Sequence, residues 1–390
     1  MKILMTVLAS TPLAATDQET EHYDLHVEWL DAPQVGRILE QFYAQATAFF
    51  GKAPKKRLRV EVYATRERWV AALRADGQTV PTDSGGLYSP ETRKAYLYLQ
   101  PSEYSTRHLL LHEAAHQFHY LASTGNRSPA DPWYTEGLAE YFAMHSWDGK
   151  TLKTGVVPAI TLEDRPEAAL RNFEAAGKNL AGLVTGTLAA DRPEAWALVR
   201  WLVLSQPERF RELRRALDLG QKSKQAWSRV FGAVTPHQVQ QFRESLVKEQ
   251  QPWKVVWIHW EPRGDQLEGR SETNALAVLK SPASRLEVEI TCTSETVAGV
   301  VFGFQSKDEF LLFQLIGKNR VRVMKRSRGK WEQVLYRDKP AGGSADVLLV
   351  IRDSGGSNRL LANGVEIATF EQVGDLGLNV DAGRALFRVR

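Results

Sequence analysis

Apolar and polar residues alternate over 22–27, with Tyr23, Leu25 and Val27 on one side, which predicts a strand. Val35, Ile38, Leu39, Phe42, Ala46 and Phe49 then recur at helical spacing, and Gly51 is a natural stop. Leu58, Val60 and Val62 alternate again as a second strand. Thr65 caps a helix that runs to about Asp76 and turns Trp69, Ala72 and Leu73 inward. The stretch 77–85, rich in Gly, Pro, Thr and Asp, is a loop. Residues 86–89 and 95–100 read as two strands around a polar turn. Residues 106–123 form an apolar helix-compatible run without Pro or Gly, with Ser105 as N-cap and Gly125-Asn126 as the stop. Asp131-Pro132 reads as the cap and first residue of the next helix.

After a looser stretch over 146–160, helical spacing dominates. Residues 193–204 are apolar almost all round and should be buried. Phe210, Leu213 and Leu217 mark a helix that opens at Pro207. Thr235-Pro236-His237-Gln238 combines a cap, a first-position proline and a capping-box glutamine ahead of a helix to about Lys248. At Gln250-Gln251-Pro252 the period changes from 3.6 to 2. Strands follow at 286–292, 300–305, 310–316, 320–325 and 347–351. Residues 360–362 and 365–370 pair across Asn363-Gly364, and 385–389 make a last strand. Many short strands in this space predict an antiparallel sandwich.

The run 106–123 contains Leu111-His112-Glu113-Ala114-Ala115-His116, an H-E-x-x-H pattern. On a helix His112 and His116 are one turn apart and face the same way, so both imidazoles can hold one Zn²⁺. Glu113, about 100° further round, sits where it can take a proton from a water activated by the metal. Catalytic zinc usually has three protein ligands and an open position. Downstream, Glu136 and Glu140 fall on one helix face. Glu136 is the candidate third ligand, and Glu140 the candidate acceptor that orients a ligand imidazole. His119 lies about 10 Å along the axis from His112 at 1.5 Å per residue, too far to complete a tetrahedral site on one straight helix. His119 and His108 are therefore read as packing or supporting residues.

H-E-x-x-H followed by Glu136-Gly137-Leu138-Ala139-Glu140-Tyr141-Phe142 resembles the gluzincin zinc peptidases, particularly the peptidase MA-like group. The resemblance implies one Zn²⁺ per chain held by His112, His116 and Glu136, with Glu113 as general base and Glu140 supporting a ligand histidine. It implies a protein or peptide substrate and endopeptidase-type cleavage, because the G-x-M-E-N motif of the aminopeptidase branch is absent. In gluzincins an edge strand ahead of the metal helix borders the cleft and can accept an extended peptide; residues 95–99 are the candidate, against the reading of a plain interior hairpin. Tyr88, Tyr134, Tyr141 and His145 are conceivable oxyanion donors.

Composition narrows the rest. At 390 residues the chain has room for two domains, and 43% hydrophobic with 25% charged residues is ordinary for a globular protein. The net charge of +4 is small and dispersed, so no nucleic-acid partner is expected. Arg322, Lys325, Arg326, Arg328 and Lys330 cluster, as a solvated strand and turn would. Cys292 is the sole cysteine, which excludes an internal disulfide and a thiolate metal site. Met1-Lys2, an apolar 3–13 and Ala14-Ala15-Thr16 resemble a short signal peptide. That predicts export, to periplasm or outside, with a cytoplasmic protein as the alternative. No run reaches membrane-spanning length.

The expected fold class is multidomain α+β. A signal peptide (1–15) precedes a gluzincin-like domain (16–250), with an α/β part at 16–148 and a helical lobe at 149–250. A jelly-roll sandwich follows (251–390). The rhythm of Leu360-Leu361-Ala362-Asn363-Gly364, Gly377-Leu378 and Ala385-Leu386-Phe387 resembles concanavalin-like or laminin-G-like jelly rolls. Such sandwiches bind glycans or proteins, and Trp253, Trp257 and Trp260 are candidates for a stacking platform, against a role in sealing a core. The first functional expectation is zinc-dependent peptide hydrolysis. The others are an exported binding or scaffold protein with a structural or inactive zinc site, and zinc hydrolysis of a substrate other than a peptide.

Overall fold

The structure, a computed structural model, describes residues 15–29, 32–123, 131–161, 163–175, 177–257, 260–271, 274–343 and 345–390. The signal-like segment up to Ala14 and the Gly125-Asn126 stop lie outside the described residues. The chain forms two compact units. One comprises Met1–Ala143, Val184–Thr187 and Leu202–Gly232; the other comprises Met144–Leu183, Leu188–Trp201 and Ala233–Arg390. The chain changes from helix to strand around 250 and 251, and Ala233–Arg390 falls whole within the second unit.

The first unit starts with β1 (Thr16–Glu19), β2 (Tyr23–Val27), α1 (Ala32–Phe50), β3 (Leu58–Tyr63), α2 (Arg66–Ala75), β4 (Gly86–Ser89) and β5 (Lys94–Tyr98). The strands form one sheet in the order β1-β2-β3-β5-β4, parallel from β2 through β3 to β5 and antiparallel at both flanks. This corrects the expected edge: 95–99 belongs to an interior strand, and β4 is the edge. Helix α2 is capped by Thr65, as the pattern predicts, and buries Trp69 and Leu73 against Tyr63 and Tyr96.

Helices α3 (Glu103–Ala122) and α4 (Pro132–Ala143) follow. The N-cap of α3 is Ser102, whose hydroxyl accepts from the amide of Ser105 at 3.0 Å, so the helix begins one turn before the Ser105 expected to cap it. It is buried on most sides, and Arg107, His112, Glu113, Gln117 and His119 are buried along with its apolar residues. Gln117, fully buried, donates to the carbonyls of Arg59 (2.9 Å) and Arg93 (2.8 Å) and so pins α3 to the sheet. Phe142 of α4 meets Phe42 of α1 edge-on, and Phe42 meets Phe118 of α3 in the same way. Asp131, expected to cap α4, gives one carboxylate oxygen to the amide of Ser223, while its backbone carbonyl accepts from Tyr134.

The second unit adds the hairpin β6 (His145–Trp147) and β7 (Leu152–Thr154), then α5 (Arg165–Phe173) and α6 (Leu180–Val184). Helix α7 (Arg192–Ser205) divides between the units; Trp196, Leu198 and Leu202 are fully buried. Helices α8 (Pro207–Asp218) and α9 (Ser223–Val230) return to the first unit, and α10 (Pro236–Lys248) to the second, opening with the predicted capping box at Thr235 and Gln238.

The strands are β8 (Trp253–Trp257), β9 (Trp260–Arg263), β10 (Gln266–Ser271), β11 (Ala275–Leu279), β12 (Arg285–Cys292), β13 (Val297–Ser306), β14 (Glu309–Ile316), β15 (Arg320–Ser327), β16 (Lys330–Asp338), β17 (Asp346–Arg352), β18 (Ser357–Ala362), β19 (Val365–Glu371) and β20 (Asp375–Val389). All pairings among them are antiparallel. One sheet runs β16-β15-β14-β13-β20-β11-β8 and the other β9-β10-β20-β12-β17-β18-β19. Strand β20 serves both: residues up to Ala382 pair with β11 and β13, and those from Gly383 pair with β10 and β12. Gly383 has φ +79°, a conformation glycine adopts without strain, and it forms the corner. Val300, Phe302, Phe313 and Leu378 from one sheet and Val288, Val350, Leu360 and Phe387 from the other share one core, each fully buried. This is a β-sandwich, as the alternation predicts. Trp253 and Trp260 lie within that core. Two of the three tryptophans considered as a platform are therefore interior.

Candidate metal centre

Helix α3 presents His112 and His116 side by side, with Nε2 atoms 3.1 Å apart. Helix α4 brings Glu136 to the same point, one oxygen 3.5 Å from His112 Nε2 and the other 3.4 Å from His116 Nε2. Ligand atoms on a tetrahedron with metal bonds of 2.0–2.1 Å stand about 3.3 Å from one another. One donor atom from each of the three residues lies within 4.8 Å of the others, close enough to share one ion, and imidazole, imidazole and carboxylate is a donor set zinc accepts.

The electrostatics favour a cation at this point. Burial alone would push the His112 imidazole down, but the Glu136 and Glu140 carboxylates outweigh it and hold its pKa at about 10. Burial would raise Glu136, and the two imidazoles instead bring it well below the usual carboxylate range. Glu140 is lowered against burial by His108 and His112.

Glu140 stands 3.4 Å from His112 Nδ1 through one oxygen and 3.1 Å from His108 Nε2 through the other. Glu140 beside Nδ1 favours a proton there, which would leave Nε2 of a neutral His112 free to hold a metal. His108, one turn before His112, anchors the far side of Glu140. Glu113 is buried and sits against edge strand β4, close to Gly86.

His119 is turned to another task. Its Nε2 is 2.8 Å from Asp218 of α8, the Tyr134 hydroxyl donates to the same oxygen at 2.6 Å, and its ring stacks on Phe50. These contacts join α3, α4 and α8 behind the metal position. Tyr134, a candidate oxyanion donor, is thus engaged with Asp218. Tyr141 packs on Phe49, Tyr88 is buried beside Tyr120, and His145 is buried within the second unit. Gln117 was not singled out by the pattern; its acceptors come from strand β3 and a turn far back in the chain.

No protein-family model matches this chain, and no curated protein matches it. Solved structures similar to it include the carbohydrate binding module CBM66 from Bacillus subtilis, at 17% identity over 35% of this chain and 92% of that one, TM-score 0.32. A galectin, LEC-6, from Caenorhabditis elegans is 17% identical over 31% of this chain and 93% of its own, TM-score 0.25. A mutant of the GH43 protein BlXynB from Bacillus licheniformis is 14% identical over 36% of each chain, TM-score 0.30. The two-sheet architecture stands on its own strand pairing, and these likenesses add no function to it. Among the described residues no helix is long and apolar enough to cross a membrane.

Proposed function

We propose that this protein is a gluzincin-like zinc hydrolase of peptide bonds, of endopeptidase type. The convergence of His112, His116 and Glu136 on one point, with Glu113 on the same helix beside them, carries the reading. Zinc held there would polarise the scissile carbonyl and make a water acidic enough to lose its proton near neutral pH. Glu113 accepts that proton and passes it to the leaving amine. Glu140 fixes the orientation of His112, and His108 fixes Glu140. An extended peptide laid along the outer edge of β4 would present its backbone close to Glu113. The apolar N-terminal segment supports export as the setting.

The test is a peptide and protein substrate screen with the wild type and Glu113→Gln, each with its zinc content measured. Cleavage by the wild type, abolished in Glu113→Gln with zinc retained, is the expected result. Zinc at full occupancy without cleavage of any peptide bond would overturn it and favour the second reading, a binding protein whose zinc is structural. Hydrolysis of a non-peptide bond, lost in the same variant, would keep the chemistry and change the substrate.

A further inference from the structure

Basic charge gathers on one hairpin of the sandwich. Strands β15 and β16 and the turn between them, residues 320–338, hold seven Lys and Arg against two Asp and Glu, a net of +5 in a chain whose total is +4. Three of these arginines are paired: Arg320 with Asp338, Arg322 with Asp381 and Arg326 with Asp308. Among the described residues Lys325, Arg328, Lys330 and Arg337 form no ion pair. Two carboxylates stand near them: Glu332, opposite Lys325 in register, and Glu309, which accepts from the Ser327 hydroxyl and the Arg328 amide. Four cations against two carboxylates leave the hairpin positive.

Strand β16 is the edge of its sheet, and every residue in it except Leu335 is exposed. Val334 is the extra residue of a bulge between the pairs Met324–Gln333 and Val323–Leu335. The bulge resets the alternation. Trp331, opposite Arg326, and Tyr336, opposite Arg322, therefore stand on one side of the strand, and Lys330, Glu332 and Arg337 on the other. Trp331 is 41% exposed, Val334 42% and Tyr336 50%. Trp331 is held edge-on to Phe310 at 5.6 Å, and the Arg326 guanidinium lies 5.1 Å from its ring. Phe310 belongs with Leu276, Val301 and Leu312 to a small buried cluster on the outer side of the sheet. The indole is thus braced in place while partly open to solvent.

We propose that this hairpin docks on a lipid surface with anionic headgroups. Unpaired lysines and arginines are drawn to such a surface. Indole and phenol rings, apolar in body and polar at the tip, settle at the boundary between headgroups and acyl chains. Val334 adds apolar surface between them. Because β16 lies at the rim of the sheet with both sides exposed, its cations and its rings can meet one surface together. Two other partners fit less well. The bulge breaks the row of free backbone groups that an added strand would need. A second copy joined through the same hairpin would set excess positive charge against its like. The inference does not depend on turnover at the zinc site.

The test is co-sedimentation of the full-length protein with vesicles of phosphatidylcholine, alone or with about one-third phosphatidylglycerol, at about 0.1 M salt. The wild type should pellet with the anionic vesicles, stay in solution with phosphatidylcholine alone, and be released as salt is raised. The triple variant Lys325→Ala, Arg328→Ala, Lys330→Ala should bind about a hundredfold more weakly, roughly fivefold per basic residue, with unchanged melting temperature. Trp331→Ala should also weaken binding; if it melts early, Tyr336→Ala takes its place. No binding to anionic vesicles, or equal binding to phosphatidylcholine alone, would overturn the proposal. So would binding indifferent to the three charges or to both aromatic positions, which would assign it to another part of the chain. Capture by polyglutamate beads without vesicle binding would point to an acidic protein instead and would equally overturn it.

Discussion

Gly86 lies so close to Glu113 that a methyl group on its α-carbon would stand 2.8 Å from Glu113 Cγ and 2.9 Å from Oε1. The edge strand thus fixes where the candidate base sits. Gly86→Ala should push the carboxylate aside while leaving the three metal donors in place. A displacement of roughly 1 Å is enough to cost about a hundredfold in rate. We expect kcat to fall by about tenfold to a hundredfold with zinc content unchanged. Unaltered kcat would show that strand β4 does not position Glu113.

Glu140 is tied to two histidines, and only one of them is a candidate ligand. Glu140→Gln keeps the shape but weakens both contacts. Zinc affinity, measured by competition with a chelator, should fall about ten- to a hundredfold. Glu136→Ala, which removes a donor, should lose more. Equal affinity in wild type and Glu140→Gln would remove Glu140 from the site.

The Tyr134 hydroxyl donates to Asp218 rather than towards the metal position. Tyr134→Phe should cost stability, about 2 kcal/mol for a buried hydrogen bond to a charged group, and leave kcat with a cleavable peptide within about twofold, far from the 10²–10³ of a lost oxyanion donor. Urea unfolding and a single kinetic comparison settle both halves.

Buried Glu268 in the sandwich accepts from Arg384 at 2.6 Å and Arg263 at 2.8 Å, and pairs with Arg270. Burial would raise its pKa, but Arg384 first, then Arg263 and Arg270, bring it below the ordinary value. A depressed folded pKa stabilises the protein above the unfolded value, about 4.3, and that stability is lost as pH falls through the folded value. Glu268→Gln should lower stability near neutral pH by about 2 kcal/mol and flatten the fall in melting temperature below about pH 4. Parallel curves for the two proteins would contradict this.

That His112 and His116 meet was legible because helix periodicity places residues four apart together, whatever surrounds them. Glu136 and Glu140 follow the same rule on α4. What packs behind the donors was less accessible: Gln117 is explained by the carbonyls of Arg59 and Arg93, which the chain brings up from 58 and 24 residues away. The helix start moved from Ser105 to Ser102 because both serines suit a cap, and Glu103 and Tyr104 continue the helix equally well. Residues 86–89 and 95–100 were visible as a hairpin, yet nothing in either strand states that the second pairs in parallel with β3 and leaves the first outside.

In the sandwich, strict alternation would put Trp253 and Trp257 on one face. The register between β8 and β11 shifts at Leu276 and Ala277, and Trp257 joins the outer cluster while Trp253 stays in the core. Strand β16 has no buried face, so alternation could not announce it.

The corner at Gly383 also sets a timetable. Strand β20 is the last strand in sequence order, and it is the seam between β11 and β13 in one sheet and between β10 and β12 in the other. A nascent chain leaves the ribosome with its earlier strands able to form hairpins but with two seams open and apolar edges unpaired. Only Asp375–Val389 closes both, so a chain truncated before Asp375 would leave both seams open and aggregate rather than fold as a smaller unit.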